Sequence, residues 1–161
     1  FRLPPPRAMR RIAPMIGLLQ RVTEASVTVD GEVVGAIGPG LCVLVGVTRD
    51  DTARTADRLA ERLLAYRVFP DDKGRMNRSL ANTGGGLLLV PQFTLAADTR
   101  KGNRASFTKG AAPEAAEALF GELVTAARGR HGIVATGRFG ADMQVALVND
   151  GPVTFWLEAR P

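Results

Sequence analysis

The chain has 161 residues, a net charge of +5, and 45% hydrophobic against 23% charged residues. That is one domain's worth of sequence, long enough to bury a core without disulfides and too apolar to stay disordered. No apolar run reaches the roughly 18 residues needed to cross a bilayer, the single Cys42 forbids an internal disulfide, and Cys42 with the single His131 cannot make a four-ligand structural zinc site.

The charge is unevenly placed. Residues 1–14 carry Arg2, Arg7, Arg10 and Arg11 and no acid, and without those four the remainder has a net charge of only +1. Net charge therefore gives no ground for a nucleic-acid partner. Pro4, Pro5, Pro6 and Pro14 block regular structure in the same stretch. Residues 1–14 are expected to be a disordered basic extension, and residues 15–161 the folded domain. The stretch lacks the apolar centre of a secretory signal. A start at Met15 is one reading of it, an Arg-rich targeting remnant another. With no such signal and Cys42 inside an apolar run, the expected compartment is the cytoplasm.

The domain opens with strands. Residues 15–22 form the first. Residues 25–29 and 33–37 flank Asp30-Gly31, a strong hairpin signal. Gly38-Pro39-Gly40 then turns the chain into residues 41–48, a nearly continuous apolar strand expected to be buried on both faces, with Cys42 as a buried thiol. A helix follows, capped by Asp50, Asp51 or Thr52, with Ala56, Leu59, Ala60, Leu63 and Leu64 on one stripe. Residues 71–79, with Lys73, Arg75 and Arg78, are expected to be a solvated loop. Residues 87–90 are a second buried strand. A second helix starts at Pro113, with Glu114 and Glu117 at its positive end and Leu119, Phe120, Leu123, Val124 and Ala127 on its apolar face. Residues 133–139, 143–148 and 153–158 are extended. The expected fold is α+β: a single domain with a barrel-like mixed sheet and two helices.

Three segments carry possible chemistry. In Val90-Pro91-Gln92-Phe93-Thr94-Leu95, the proline ends ladder pairing. Continued as a strand, the segment puts Gln92 and Thr94 on one face and Phe93 on the other, so an amide and a hydroxyl could orient a polar substrate. In Asn149-Asp150-Gly151-Pro152-Val153-Thr154, the residues fit a tight hairpin turn, and Gly151-Pro152 is a candidate cis peptide. Residues 98–110 hold four basic side chains, Arg100, Lys101, Arg104 and Lys109, directly after the Gln92/Thr94 segment. They suit either phosphate contacts or a solvated loop. His131 sits in a turn with no serine or cysteine motif beside it, so no Ser-His-Asp triad can be assembled.

Gln92-Phe93-Thr94-Leu95 followed by Asn149-Asp150-Gly151-Pro152-Val153-Thr154 resembles the paired signature of the D-aminoacyl-tRNA deacylase (D-tyrosyl-tRNA deacylase) family. The resemblance runs from Met15 to Glu158 and includes Gln20-Arg21-Val22, Lys101-Gly102-Asn103-Arg104, Gly137-Arg138-Phe139 and Asp142-Met143-Gln144-Val145. It implies a homodimer that hydrolyses the ester joining a D-amino acid to tRNA, with neither cofactor nor metal and no membrane partner. It implies that Gly151-Pro152 is cis and serves the partner's pocket in trans, with Arg21 orienting it. Gln92, Phe93, Thr94 and Met143 would line the pocket, with Phe139 beside the terminal adenosine. The family's usual residue before the glutamine is serine. Here it is Pro91, as in a related animal class that differs at the Phe93 position.

A Gly-Pro wall of bare backbone would block an L side chain and admit a D one, so glycyl-tRNA is an expected second substrate. For the chemistry, either Thr94 Oγ is a nucleophile, or backbone N–H groups at Phe93 and Thr94 form an oxyanion hole while the tRNA 2′-hydroxyl positions water. The second is preferred, because no activating base is evident. Other readings are a non-catalytic reader of the tRNA acceptor end, a deacylase of altered stereospecificity and a generic esterase. Phosphate contacts are expected from Arg100, Lys101, Arg104 and Lys109.

Overall fold

Two apolar runs set the architecture. The computed structural model describes residues 13–160. In it, β3 (Gly40–Gly46) and β6 (Gly86–Pro91) lie side by side in parallel, Leu41 opposite Leu87 and Val43 opposite Leu89. Parallel strands are covered on both faces, which is why these runs are apolar without alternation. Leu41, Val43, Leu87 and Leu89 face one core; Cys42, Leu88 and Val90 face a second.

The first core lies under two helices. Helix α1 (Ala53–Ala65) brings Leu59, Leu63 and Leu64, and α3 (Pro113–Arg130) brings Phe120, Leu123 and Ala127. Of the three cap candidates for α1 it is Thr52 that acts, exchanging bonds with Thr55 in a capping box. A short α2 (Leu80–Thr83), capped by Ser79, adds a third helix to the two expected.

The second core is the inside of a curled sheet. Strand β1 (Met15–Val29) is one unbroken element where two were expected. One edge pairs with β3 through residues 16–22 and with β2 (Glu32–Ile37) through residues 25–29. From β3 the sheet continues through β6 to β7 (Val134–Thr136), and β7 comes back against β2. The closure is tight enough that a Cβ on Gly35 would collide with the Thr136 carbonyl. The result is a nearly closed barrel-like mixed sheet.

The other edge of β1 carries β8 (Gln144–Ala159), antiparallel over almost its whole length. The two closing strands expected here are thus one. Asn149–Pro152 is not a hairpin turn, because the chain keeps its direction on both sides of it.

The segment expected as the loop 71–79 is half strand. Residues Arg67–Pro70 (β4) and Met76–Ser79 (β5) form a separate two-stranded hairpin. Asp71 holds its turn, accepting from the Lys73 and Arg75 N–H groups and from Asn77 Nδ2.

Ala13, assigned above to the extension, is tied to the domain: its N–H donates to Asp50 Oδ2 and its carbonyl accepts from Thr48 Oγ1. Residues 1–12 of that extension lie outside the described residues. Beside Ala13's contacts, Asp51 is buried and accepts from Thr48 N at 2.7 Å. Its Oδ1 meets no partner among the described residues.

Candidate active site

Along β6 Gly86 N and Gln92 N donate toward the β3 side, and Gln92 N makes the last of these bonds, to Val45 O at 2.8 Å; the N–H that Pro91 lacks falls on the opposite edge, where Leu87 N donates to Ile133 O. The chain then leaves the sheet. Residues Phe93–Ala96 form a 3₁₀ turn rather than the strand expected. Gln92 and Thr94 still meet, with Gln92 Nε2 donating to Thr94 Oγ1. Phe93 is not turned inward; it is 70% exposed and packs at 5.5 Å against Phe107. The first N–H groups of a helical turn have no partner within it, and in this turn those are the N–H groups of Phe93 and Thr94.

Gln92 and Phe93 border a groove of about 630 Å³, whose other walls include Phe139 and Met143. Its flank comes from Pro113 and Ala116 at the start of α3. Met143 is seated by its neighbours: its sulfur accepts from Arg138 N at 3.4 Å, and a Cβ on Gly137 would lie 2.8 Å from it. Thr94 does not line this groove; it reaches it only through Gln92. A second hollow of about 80 Å³ continues the groove beneath Phe93 and Phe107. Asp142 also lines the groove. It was quoted above within a motif but given no role; Pro113 was read only as a helix start, and Phe107 and Ala116 were missed. The aromatic in an otherwise polar loop was the available signal for Phe107; nothing local marks the other two.

Arg21, Gly151 and Pro152 lie apart from this groove in the same chain. Gln20 pairs with Thr154 and Val22 with Asn149, so residues 150–153 are squeezed out of β8 opposite Arg21 alone. Asn149 closes the neck of this bulge: its Oδ1 accepts from Val153 N and its Nδ2 donates to Thr154 Oγ1. The Gly151–Pro152 peptide is cis, and Gly151 has φ +138°, a conformation that L side chains rarely adopt. Both residues are exposed. Arg21, with a side chain only 14% exposed, donates from Nε to Asp150 O at 3.0 Å and from Nη1 to Val68 O at 2.7 Å.

Of the basic loop, Arg100, Lys101 and Arg104 are exposed and Lys109 is half-buried. Asp98 and Ser106 exchange backbone hydrogen bonds at its base. Arg100 grips Asp98 with two nitrogens, at 2.9 and 2.7 Å. That guanidinium holds the Asp98 carboxyl far below the usual carboxylate range. Phe107 connects the loop to Phe93 and so to the groove. His131 is not a free surface residue: it caps α3, and its Nε2 is 2.6 Å from Gly85 O.

The chain is similar to known proteins over most of its length. A solved structure described as "c-Myc DNA Unwinding Element Binding Protein" superposes with a TM-score of 0.86 at 38% identity, covering 91% of this chain and 99% of that one. Another, described as a probable eukaryotic D-amino acid tRNA deacylase, gives 0.79 at 19% identity and shares the fold. The barrel-like architecture is thus one that both solved structures share. Two bacterial relatives, the D-aminoacyl-tRNA deacylases of Thioalkalivibrio sulfidiphilus and Alkalilimnicola ehrlichii, are each 67% identical over 147 residues. That span is 91% of this chain and 99% and 98% of theirs. A family model described as D-Tyr-tRNA(Tyr) deacylase matches residues 18–158. The chain belongs to that family.

Proposed function

We propose that this chain hydrolyses the ester of D-aminoacyl-tRNA to free D-amino acid and tRNA, and spares the L-ester. The observation that carries this is the groove in which Gln92, Phe93, Phe139 and Met143 converge, in a chain of this family. Glycyl-tRNA is a second substrate, since glycine has no side chain to be refused.

The site is completed by a second copy of the chain. Gly151 and Pro152 stand exposed on a bulge outside their own groove, and β8 also exposes Val145, Val148 and Trp156. A homodimer covers that surface and presents the bulge to the partner's groove, where bare backbone faces the substrate's α-carbon. An L side chain meets that wall; a D side chain points away from it.

In the reaction, water attacks the carbonyl carbon, the bond to the ribose oxygen breaks, and the water proton leaves with that oxygen. The Phe93 and Thr94 N–H groups receive the charge that develops on the carbonyl oxygen, a type of contact worth about 10²–10³ in rate. The terminal 2′-hydroxyl of the tRNA positions the water. Thr94 Oγ is held by Gln92 and is not the nucleophile. Phe139 packs beside the terminal adenosine, and Arg100, Lys101, Arg104 and Lys109 contact nearby phosphates. The compartment is the cytoplasm; among the described residues no helix is long and apolar enough to cross a membrane.

The test is deacylation of D-tyrosyl-tRNA and L-tyrosyl-tRNA side by side, with the mass in solution measured by light scattering. Release of the D-ester alone by a dimer is the expected result. Equal release, or release of the L-ester only, sinks the chiral wall, and tRNA binding without turnover makes the chain an acceptor-end reader.

A further inference from the structure

We propose that the β4–β5 hairpin is a phosphate-binding arm for tRNA that serves the groove of the partner subunit. This rests on the deacylase activity and the two-subunit site proposed above. The observation behind it is the double use of Arg21. One guanidinium binds Val68 O in β4 and Asp150 O in the bulge. The hairpin and the Gly151–Pro152 bulge are therefore clasped to each other. A bulge that enters the partner's groove carries the hairpin to that groove's rim, where the body of the tRNA lies.

The hairpin has the chemistry for this position. It holds Arg67, Lys73, Arg75 and Arg78 against Asp71 and Asp72. Asp71 is turned into the tip, where it accepts two backbone N–H groups and the Asn77 amide. Its charge stiffens the turn instead of neutralising the cations. Lys73, Arg75 and Arg78 are all exposed, and the Lys73 and Arg75 side chains make no ion pair among the described residues. Met76, which lies between Arg75 and Arg78 in the chain, is 48% exposed and offers an apolar surface to sugar or base. The loop with Arg100, Lys101 and Arg104 borders the groove of its own subunit through Phe107 and Phe93. The two basic elements thus belong to opposite sides of one composite site. The acceptor stem is gripped between the loop of one subunit and the hairpin of the other.

The experiment uses the dimer with Lys73→Gln and Arg75→Gln together. Neither side chain takes part in the hydrogen bonds of the turn, and hydrolysis of D-tyrosyl-adenosine, which lacks the tRNA phosphates, checks that the groove is intact. Binding of uncharged tRNA is measured by filter retention across a salt series, so the result does not depend on turnover. The expected outcome is about tenfold weaker binding near 0.1 M salt and a salt slope reduced by about 1.5, at roughly 0.7–0.9 per lost phosphate contact. KM for D-tyrosyl-tRNA rises in step, and D-tyrosyl-adenosine is hydrolysed as before. Unchanged affinity and slope overturn the arm even where the D-ester is hydrolysed. An enzyme that releases no D-ester but loses tRNA affinity in the variant keeps the arm and loses the deacylase activity.

The partner assignment has its own test. One chain carries Met143→Trp to block its groove and keeps its hairpin; the other keeps its groove and carries the double substitution. In the mixed dimer the working groove shows the wild-type KM when the arm acts in trans. A KM as high as that of the double-variant homodimer overturns the assignment.

Discussion

Arg21→Ala removes the clasp between β4 and the bulge. Three contacts go: the bonds to Val68 O at 2.7 Å and Asp150 O at 3.0 Å, and the ion pair with the Asp150 carboxylate at 3.6 Å. A hydrogen bond from a charged donor is worth about 1.5–3 kcal/mol when buried. Only the Val68 bond is sheltered enough to count near that value. Asp150 is exposed and water replaces its partners, so the ion pair adds about 0–1 kcal/mol. The sum is about 2–3 kcal/mol, or roughly 5–10 °C in Tm for a chain of this size. The functional loss is larger, because a wall displaced by about 1 Å costs on the order of 10² in rate. The kcat/KM for D-tyrosyl-tRNA falls by about that factor and release of the L-ester rises, so the ratio of the two collapses. Arg21→Lys retains the charge but has no planar fork to reach two carbonyls. It recovers part of the Tm and little of the ratio. Tm by calorimetry and the D/L ratio by release of labelled tyrosine measure the two effects. Full chiral discrimination in Arg21→Ala despite the drop in Tm refutes the reasoning, since the bulge would then be held without this clasp.

Thr94→Ala keeps its N–H and loses only the hydroxyl, so turnover stays within about tenfold of wild type; complete inactivity together with a trapped acyl-Thr94 adduct reverses that assignment. Burial pushes the Asp51 carboxyl up from 3.8 to about 6. Between those values the folded chain keeps a proton that the unfolded chain has released, so this group's contribution is greatest below pH 4 and lost as pH rises through 6, by at most about 3 kcal/mol. Asp51→Asn keeps an acceptor for Thr48 N and removes the charge. In urea titrations it is more stable than wild type near pH 8 and flatter with pH, and equal pH profiles for the two proteins would show that Asp51 carries no such load. The Cys42 thiol, buried on β3, is pushed up to about 11. It should ignore a disulfide reagent in the folded state and react fully in urea; fast labelling of the native chain contradicts that placement.

Much of the scaffold can be read from local pattern. The apolar runs of β3 and β6, the Asp30-Gly31 hairpin, the stripe of α1 and the proline start of α3 all stand where periodicity and turn chemistry put them. The misses are non-local. Asn149-Asp150-Gly151-Pro152 is a turn signal by composition, yet β8 runs straight through it, because β1 pairs with the residues on both sides and only the surplus is expelled. Met76–Ser79 is polar and reads as loop until β4 supplies the ladder it lacks. Gln92 N makes the last bond to β3, and the chain then enters a 3₁₀ turn that brings Thr94 back onto Gln92 instead of along a strand.

Local pattern is enough to locate the buried stretches, the two motifs that carry the family, and the scarcity of any histidine or cysteine chemistry. These follow from side-chain type and short-range spacing, which each segment carries whatever surrounds it. That Gln92, Phe93, Phe139 and Met143 share a groove while Gly151 and Pro152 stand outside it is visible in the folded chain alone. Folding likewise joins Arg21, Val68 and Asp150 into one clasp. Those neighbours lie 47 and 129 residues from Arg21 along the chain. Ladder register and helix packing bring them together, and neither is written in the local period of the sequence.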